Sequence, residues 1–286
     1  MKTLLRTLVT VVFLTATAPA LADPAAGIAA FERKDYATAY RELRPLAEAG
    51  EVEAQWRVGF MLHSGYGVAE DIPEAALWYR RAAEQGHPRA PYLLGLMYFY
   101  GRLGGRDKAE AARWFRMAAE RGWVAAQNEL GNMYEFGWGV PRDDAEANRW
   151  YGLAVAAFRA GAARGDPGSQ FDLAAMYHTG RGVPRDMRLA SRLYHMAAQA
   201  NVDAAQMVLG GWYYPWAPWA VHDPKVPQPS PDLIAPDIVE SYKWYALAAR
   251  NGYYSADEQL DFVVRHMTPA QLAEGRRRVE AWQPRQ

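Results

Sequence analysis

The chain contains no cysteine. Disulfides, thiolate metal sites and a lipid anchor carried on cysteine are therefore excluded. Charge of one sign is also missing. The 32 basic and 32 acidic residues give a formal net charge of zero, without the basic stripe that nucleic acid requires. No stretch approaches 18 uninterrupted apolar residues, so no segment after the N-terminus reads as a membrane span. The six histidines (His63, His87, His178, His195, His222 and His266) are scattered and form no His-Glu-x-x-His. The few serines show neither a Gly-x-Ser-x-Gly elbow nor a Ser-x-x-Lys. What remains is apolar mass. Half the residues are hydrophobic and 13% are aromatic, enough for a large core without cross-links.

The first residues carry an export signal. Lys2 and Arg6 precede a mostly apolar run from Leu8 to Ala18, and Ala20-Leu21-Ala22 offers small residues where a signal peptidase reads. Cleavage is expected after Ala22, with residues 1–22 as the leader and a periplasmic or secreted mature chain starting at Asp23. An uncleaved N-terminal anchor is the alternative reading. Loss of the leader removes both basic residues and leaves two acids in excess.

Internal repetition organises the rest. Ala54-Gln55, Ala90-Pro91, Ala126-Gln127, Ser169-Gln170 and Ala205-Gln206 are separated by steps of 36, 36, 43 and 36 residues. Gly59, Gly95, Gly131, Ala174 and Gly210 keep the same steps. A second series follows at Trp78-Tyr79, Trp114-Phe115, Trp150-Tyr151, Leu193-Tyr194 and Trp244-Tyr245. Alanine pairs close the units at 82–83, 118–119, 162–163, 197–198 and 248–249. Each unit reads as two helices joined by a glycine turn.

The second helix of each unit begins at an aspartate. Asp71, Asp107, Asp143 and Asp237 precede a glutamate by three, the spacing of a capping box, and Asp186 keeps the cap without the glutamate. These helices stop at Gly50, Gly86, Gly122, Gly165, Asn201 and Gly252, residues that tolerate a left-handed backbone. The step of 43 implies a second helix seven residues longer, from Trp150 to Arg164. Seven residues are nearly two turns, so its buried stripe rotates by only about 20° and Ala162-Ala163 is expected to face the neighbour. The fifth unit carries an insertion of about 15 residues, rich in proline, between Tyr213 and Asp237.

The domain reading is a leader at 1–22, N-terminal capping helices at 23–53, and repeats at 54–89, 90–125, 126–168, 169–204 and 205–256. The insertion occupies 214–236, and C-terminal capping helices fill 257–286. Ile28 to Gly50 reads as half a hairpin. Thr268-Pro269-Ala270-Gln271 opens a solvated closing helix that runs to Trp282.

These residues resemble the Sel-1-like repeat (SLR), a relative of the tetratricopeptide repeat. In the third unit the family's places fall on Ala126, Leu130-Gly131, Tyr134, Gly137-Trp138-Gly139-Val140, Asp143, Ala147 and Trp150-Tyr151. The likeness covers roughly Ala25 to Ala256. Departures are local: Leu103 replaces a turn glycine, and the fifth turn is replaced by the insertion. The resemblance implies an all-α, right-handed superhelical solenoid that scaffolds protein complexes without catalysis. In bacteria such proteins are often exported to serve the envelope. One cysteine-rich branch is linked to β-lactam binding, which this chain, lacking those cysteines, does not inherit.

Candidate chemistry is sparse. Gly65-Tyr66-Gly67, Gly137-Trp138-Gly139 and Gly180-Arg181-Gly182 follow helices and lack the third glycine of a dinucleotide loop, so they read as turns. His63 and His178 share a repeat position, which suggests a common surface role. No cofactor and no metal are expected. The recurring tryptophans read as packing residues. The first helices are expected to line an inner groove, with Trp56, Phe60, Tyr92, Leu96, Asn128 and Asn132 as contacts for a protein partner of the cell envelope. Around the insertion, Trp212, Tyr213, Tyr214, Trp216 and Trp219 read as exposed and outside the repeat register. They either fold back on the solenoid or meet a ligand, and Trp216 and Trp219 would be the contacts of a glycan or peptidoglycan. A cell-wall amide hydrolase is a third reading that no motif favours.

Overall fold

A computed structural model describes residues 24–215, 229–230 and 233–284. The leader therefore lies outside the described residues. Fourteen helices and no strand are present among those described, as a Sel-1-like helical-repeat solenoid requires. The chain forms two compact units, one ending at Arg106 and the other beginning at Asp107. The first holds α1 (Pro24–Glu32), α2 (Tyr36–Glu48), α3 (Val52–Ser64), α4 (Ile72–Glu84) and α5 (Ala90–Tyr100). The second holds α6 (Lys108–Glu120), α7 (Val124–Phe136), α8 (Asp144–Ala163), α9 (Pro167–Thr179) and α10 (Met187–Gln199), followed by α11 (Asp203–Tyr213), α12 (Ile238–Arg250), α13 (Ala256–Val264) and α14 (Pro269–Glu280). Within each unit the helices up to α13 pack on their chain neighbours, and α14 packs on α12. The N-terminal element is a complete hairpin, α1 with α2, where half of one was expected. The last helix ends at Glu280, short of Trp282.

Local chemistry sets the boundaries. The Asp71 carboxylate accepts the amide of Glu74 at 2.8 Å, Asp107 that of Glu110 at 2.9 Å, and Asp186 that of Leu189 at 2.9 Å. The expected capping boxes nonetheless close only halfway. At four of the caps the aspartate's own N–H is engaged by a carbonyl of the preceding first helix: Asp71 with Leu62 at 2.9 Å, Asp143 with Tyr134 at 3.0 Å, Asp186 with Tyr177 at 3.0 Å and Asp237 with Tyr213 at 2.8 Å. The glutamates find no donor there and turn to neighbours one helical turn on. Glu74 accepts the Trp78 indole at 3.2 Å, Glu146 pairs with Arg149 at 3.2 Å, and Glu240 pairs with Lys243 at 2.5 Å. Among the described residues only Thr268 and Gln271 complete the box. At the other end, Gly50, Gly86, Gly122, Gly165, Asn201 and Gly252 all take positive φ, as expected of left-handed C-terminal residues.

Two sets of bonds stitch one repeat to the next. Buried Gln55, Gln127 and Gln206 each donate at 3.2 Å to a carbonyl eight residues earlier, on Ala47, Ala119 and Ala198. A side chain of α4, of α8 and of α10 also reaches the tyrosine 18 residues ahead: Arg80 to Tyr98 at 3.0 Å, Arg159 to Tyr177 at 2.7 Å and His195 to Tyr213 at 3.1 Å. Arg116 bonds Tyr134 in the same way. The recurring tryptophans Trp78, Trp114, Trp150 and Trp244 fill the core at no more than 8% exposure.

The long helix corrects one expectation. Of the pair Ala162-Ala163, the first is half-buried and the second exposed, whereas Ala154, Val155 and Gly161 are buried. Ala154-Val155 sits four residues after Trp150, as Ala82-Ala83 does after Trp78, and seven further residues lead to Gly161-Ala162. The expected pair was one residue out of phase. A step of one residue turns a helix by about 100°.

Candidate functional site

Once the stitching residues are set aside, the first helices keep one face that the fold does not consume. In the first unit that face is aromatic. The Phe31 ring meets Trp56 at 5.8 Å and Phe60 at 5.7 Å, Phe60 meets Tyr66 at 5.9 Å, and Tyr66 stacks on Tyr36 at 4.8 Å. Arg57, only 7% exposed, lies among these rings, its guanidinium 4.9 Å from the Trp56 centroid and 5.1 Å from Phe31. Glu32 at 3.2 Å and Glu53 balance its charge. His87 completes the cluster as a neutral ring. Burial, then Arg57 and Arg89, push it down to about 4. Its Nδ1 accepts the Ala90 amide at 3.1 Å and so caps α5, which leaves Nε2–H to face Glu53 at 3.4 Å. Trp56 is therefore buried, while Phe60, Tyr92 and Leu96 are half-buried.

In the second unit the corresponding face is polar. Tyr151, 1% exposed, shares its hydroxyl proton between Asn132 at 2.7 Å and Glu135 at 2.6 Å. Glu135 also holds Arg181 at 2.8 Å, and the Asn132 amide donates to Glu129 at 3.3 Å. Burial raises the carboxyl of Glu129 and, with the Glu135 hydrogen bond next in weight, the Tyr151 hydroxyl. A cleft of about 270 Å³ opens beside Tyr151, Glu135 and Arg181. Asn128 and Asn132 are half-buried here. Glu129, Glu135 and Asp172 were not anticipated as members of this face. Glu129 and Asp172 do occupy the register place of Arg57, so their charge could have been noticed.

Asp172 supplies a pH test. Burial, with Asp166 nearby, pushes its carboxyl up to about 6. An unfolded aspartate titrates at about 3.9. Between those values the folded chain keeps a proton that the unfolded chain has released, so stability falls as pH rises through that window. Asp172→Asn should therefore be about 1 kcal/mol more stable than the parent at neutral pH, a figure already reduced for partial solvation. Below about pH 3.5 the two should coincide. Urea titrations at both pH values check this.

Two groups of residues differ from expectation. His63 and His178 have a packing role, and the shared surface role is not found. His178 is buried and His63 half-buried, each with its ring nitrogen 3.4 Å from the hydroxyl of the tyrosine 16 residues on, Tyr194 and Tyr79. Glu135 holds the same register place before Tyr151. The aromatics ahead of the insertion belong to the repeat. Trp212 is buried in α11 against His178 and Tyr194, Tyr213 occupies the tyrosine place bonded by His195, and Tyr214 is buried against Phe262. Trp216 and Trp219 lie outside the described residues. Among those described, no three His, Asp or Glu side chains could hold a metal, and no helix is long and apolar enough to cross a membrane.

Comparison with known proteins follows the same lines. The Sel1 repeat family model matches residues 52–87, 88–123, 124–157, 167–202 and 231–253. A Sel1 repeat protein from Oxalobacter formigenes is 27% identical, with a TM-score of 0.60 over 91% of this chain and 96% of that one. A protective antigen of uropathogenic Escherichia coli strains with an SLR fold is 25% identical, with a TM-score of 0.53 over 88% of this chain. This chain spans 57% of that antigen's length. No curated protein matches the sequence.

Proposed function

The chain belongs to the Sel1 repeat family, and from that premise we propose that it is a non-catalytic adaptor that holds protein partners in the bacterial cell envelope. Sel1 repeats generally mediate protein–protein interaction. The observation that supports this reading is a contrast within the repeats. The stitching positions recur, as with Gln55, Gln127 and Gln206, while the partly open first-helix positions change chemistry from Tyr92 to Asn128 and from Phe60 and Leu96 to Asn132; Trp56, at the place of Tyr92, is taken up by packing. A fold that needed those positions for packing would repeat them. Selective contact with a partner needs them to differ, and a preformed face binds with little ordering cost. Export is supported by Lys2, Arg6, the apolar run, Ala20-Leu21-Ala22 and the absence of cysteine.

Purified from the envelope fraction, the mature chain should begin at Asp23 by intact mass. A cross-linker at Asn132 should capture an envelope protein that Asn128→Arg releases, with little change in melting temperature. Recovery of the full-length chain from the cytoplasm, or no capture above background after cross-linking, would refute the reading.

A further inference from the structure

The extra two turns of α8 serve no stitch except Arg159, and they leave a surface unlike that of the other second helices. From Gly152 to Ala163 the only charged residue is Arg159, which is held by Tyr177. Leu153 is 45% exposed, and Ala156, Ala160 and Ala163 are exposed with it. On α10, Met196 stands at the register place of Leu153 and is 48% exposed. The rim is cationic. Arg149, Arg188 and Arg192 are exposed, and the last two make no ion pair with any described residue.

The same register place is covered once within this chain. Leu247 on α12 is fully buried, because α14 lies on that helix. Gly275 of α14 seats against the Tyr242 ring, where a Cβ would stand 2.4 Å from a ring carbon. Val279 and Trp282 pack on the cluster that contains Leu247. Arg278 of α14 pairs with Glu240 of α12 at 2.5 Å. The face on α12 is acidic at its rim, and the helix that covers it is basic. On α8 and α10 the rim carries the opposite sign.

We propose that the outer face of α8, with Met196 of α10, docks an amphipathic α-helix of a partner protein whose apolar stripe is flanked by acidic residues. The small side chains at 156, 160 and 163 allow that helix to approach closely. Among the described residues, the acidic helix α13 of a second copy is not its source. The acidic helix α13 places Leu260, Phe262 and Val263 in its own core. This surface lies on the second helices, apart from the first-helix face proposed for the adaptor role.

The absence of native cysteine makes the test direct, because Ala160→Cys in the mature chain carries a single environment-sensitive fluorophore. The probes are a synthetic helix of about 18 residues with a leucine stripe flanked by glutamates, its lysine-flanked twin, and phosphatidylcholine vesicles containing phosphatidylserine. The glutamate helix should shift the dye saturably and bind about tenfold more tightly than the lysine helix. Leu153→Glu should weaken it by about tenfold with an unchanged melting temperature, and so should Arg188→Glu combined with Arg192→Glu. Equal binding of the two helices overturns the proposal. So does a response confined to vesicles, or to added unlabelled chain.

Discussion

Alanine at position 139 is expected to destabilise the second unit by about 2–5 kcal/mol, a large share of a typical domain's stability. Gly139 has φ of +73°, where any side chain costs about 1–2 kcal/mol. An added Cβ would also stand 2.1 Å from the carbonyl oxygen of Lys108 and 2.5 Å from the amide nitrogen of Ala109. Those atoms are backbone at the start of α6, so relief requires a shift of the helix, at about 1–3 kcal/mol. Gly152→Ala is the matched control. Position 152 is helical and nothing lies within 4 Å of the new methyl, so that variant should gain about 0.5–1 kcal/mol. Urea unfolding of both checks the pair, and equal midpoints would show that the turn does not grip α6 as described.

The second large effect is at Tyr151. Its ring fills the space above Gly131, where a Cβ would come within 2.4 Å of it. Tyr151→Ala should cost about 3–5 kcal/mol, since the backbone of the hairpin cannot collapse onto the void. Tyr151→Phe keeps the ring and removes only the proton shared by Asn132 and Glu135. It should cost about 1 kcal/mol, because Glu135 retains Arg181. A phenylalanine variant as unstable as the alanine one would place the weight on the hydroxyl.

The parts of the fold legible in the sequence are those that backbone geometry imposes. Glycine or asparagine at each helix end and aspartate at each start answer local demands that any copy of the hairpin must meet. The errors arose where a tertiary bond competed with a local one. The glutamates of the capping boxes were misjudged because the amides they should reach are taken by carbonyls such as those of Leu62 and Tyr134. Ala162-Ala163 was misplaced because a repeated residue type was followed instead of the distance from Trp150. Trp212, Tyr213 and Tyr214 adjoin the prolines that follow them, yet counting from Gly210 places Trp212 and Tyr213 in α11 and Tyr214 at its C-terminal cap. The first-helix face was readable only as a set of positions free to vary. That Asp172 is half-buried there with a raised carboxyl depends on neighbours from other helices, and no periodicity records it.

The bond from Arg159 to Tyr177 also acts as a ruler. Arg80 and His195 stand two residues after Trp78 and Leu193, while Arg159 stands nine after Trp150, yet each meets its tyrosine 18 residues on. Added length survives when it returns the side chain to nearly the same angle. Seven residues miss by about 20°, whereas six or eight would swing the guanidinium roughly 80–120° away from the hydroxyl. Insertions into these second helices should therefore be quantised, with lengths close to whole turns tolerated and their neighbours purged. A library of insertions after Gly152, scored for soluble expression, should show survival peaking at about seven and eleven residues.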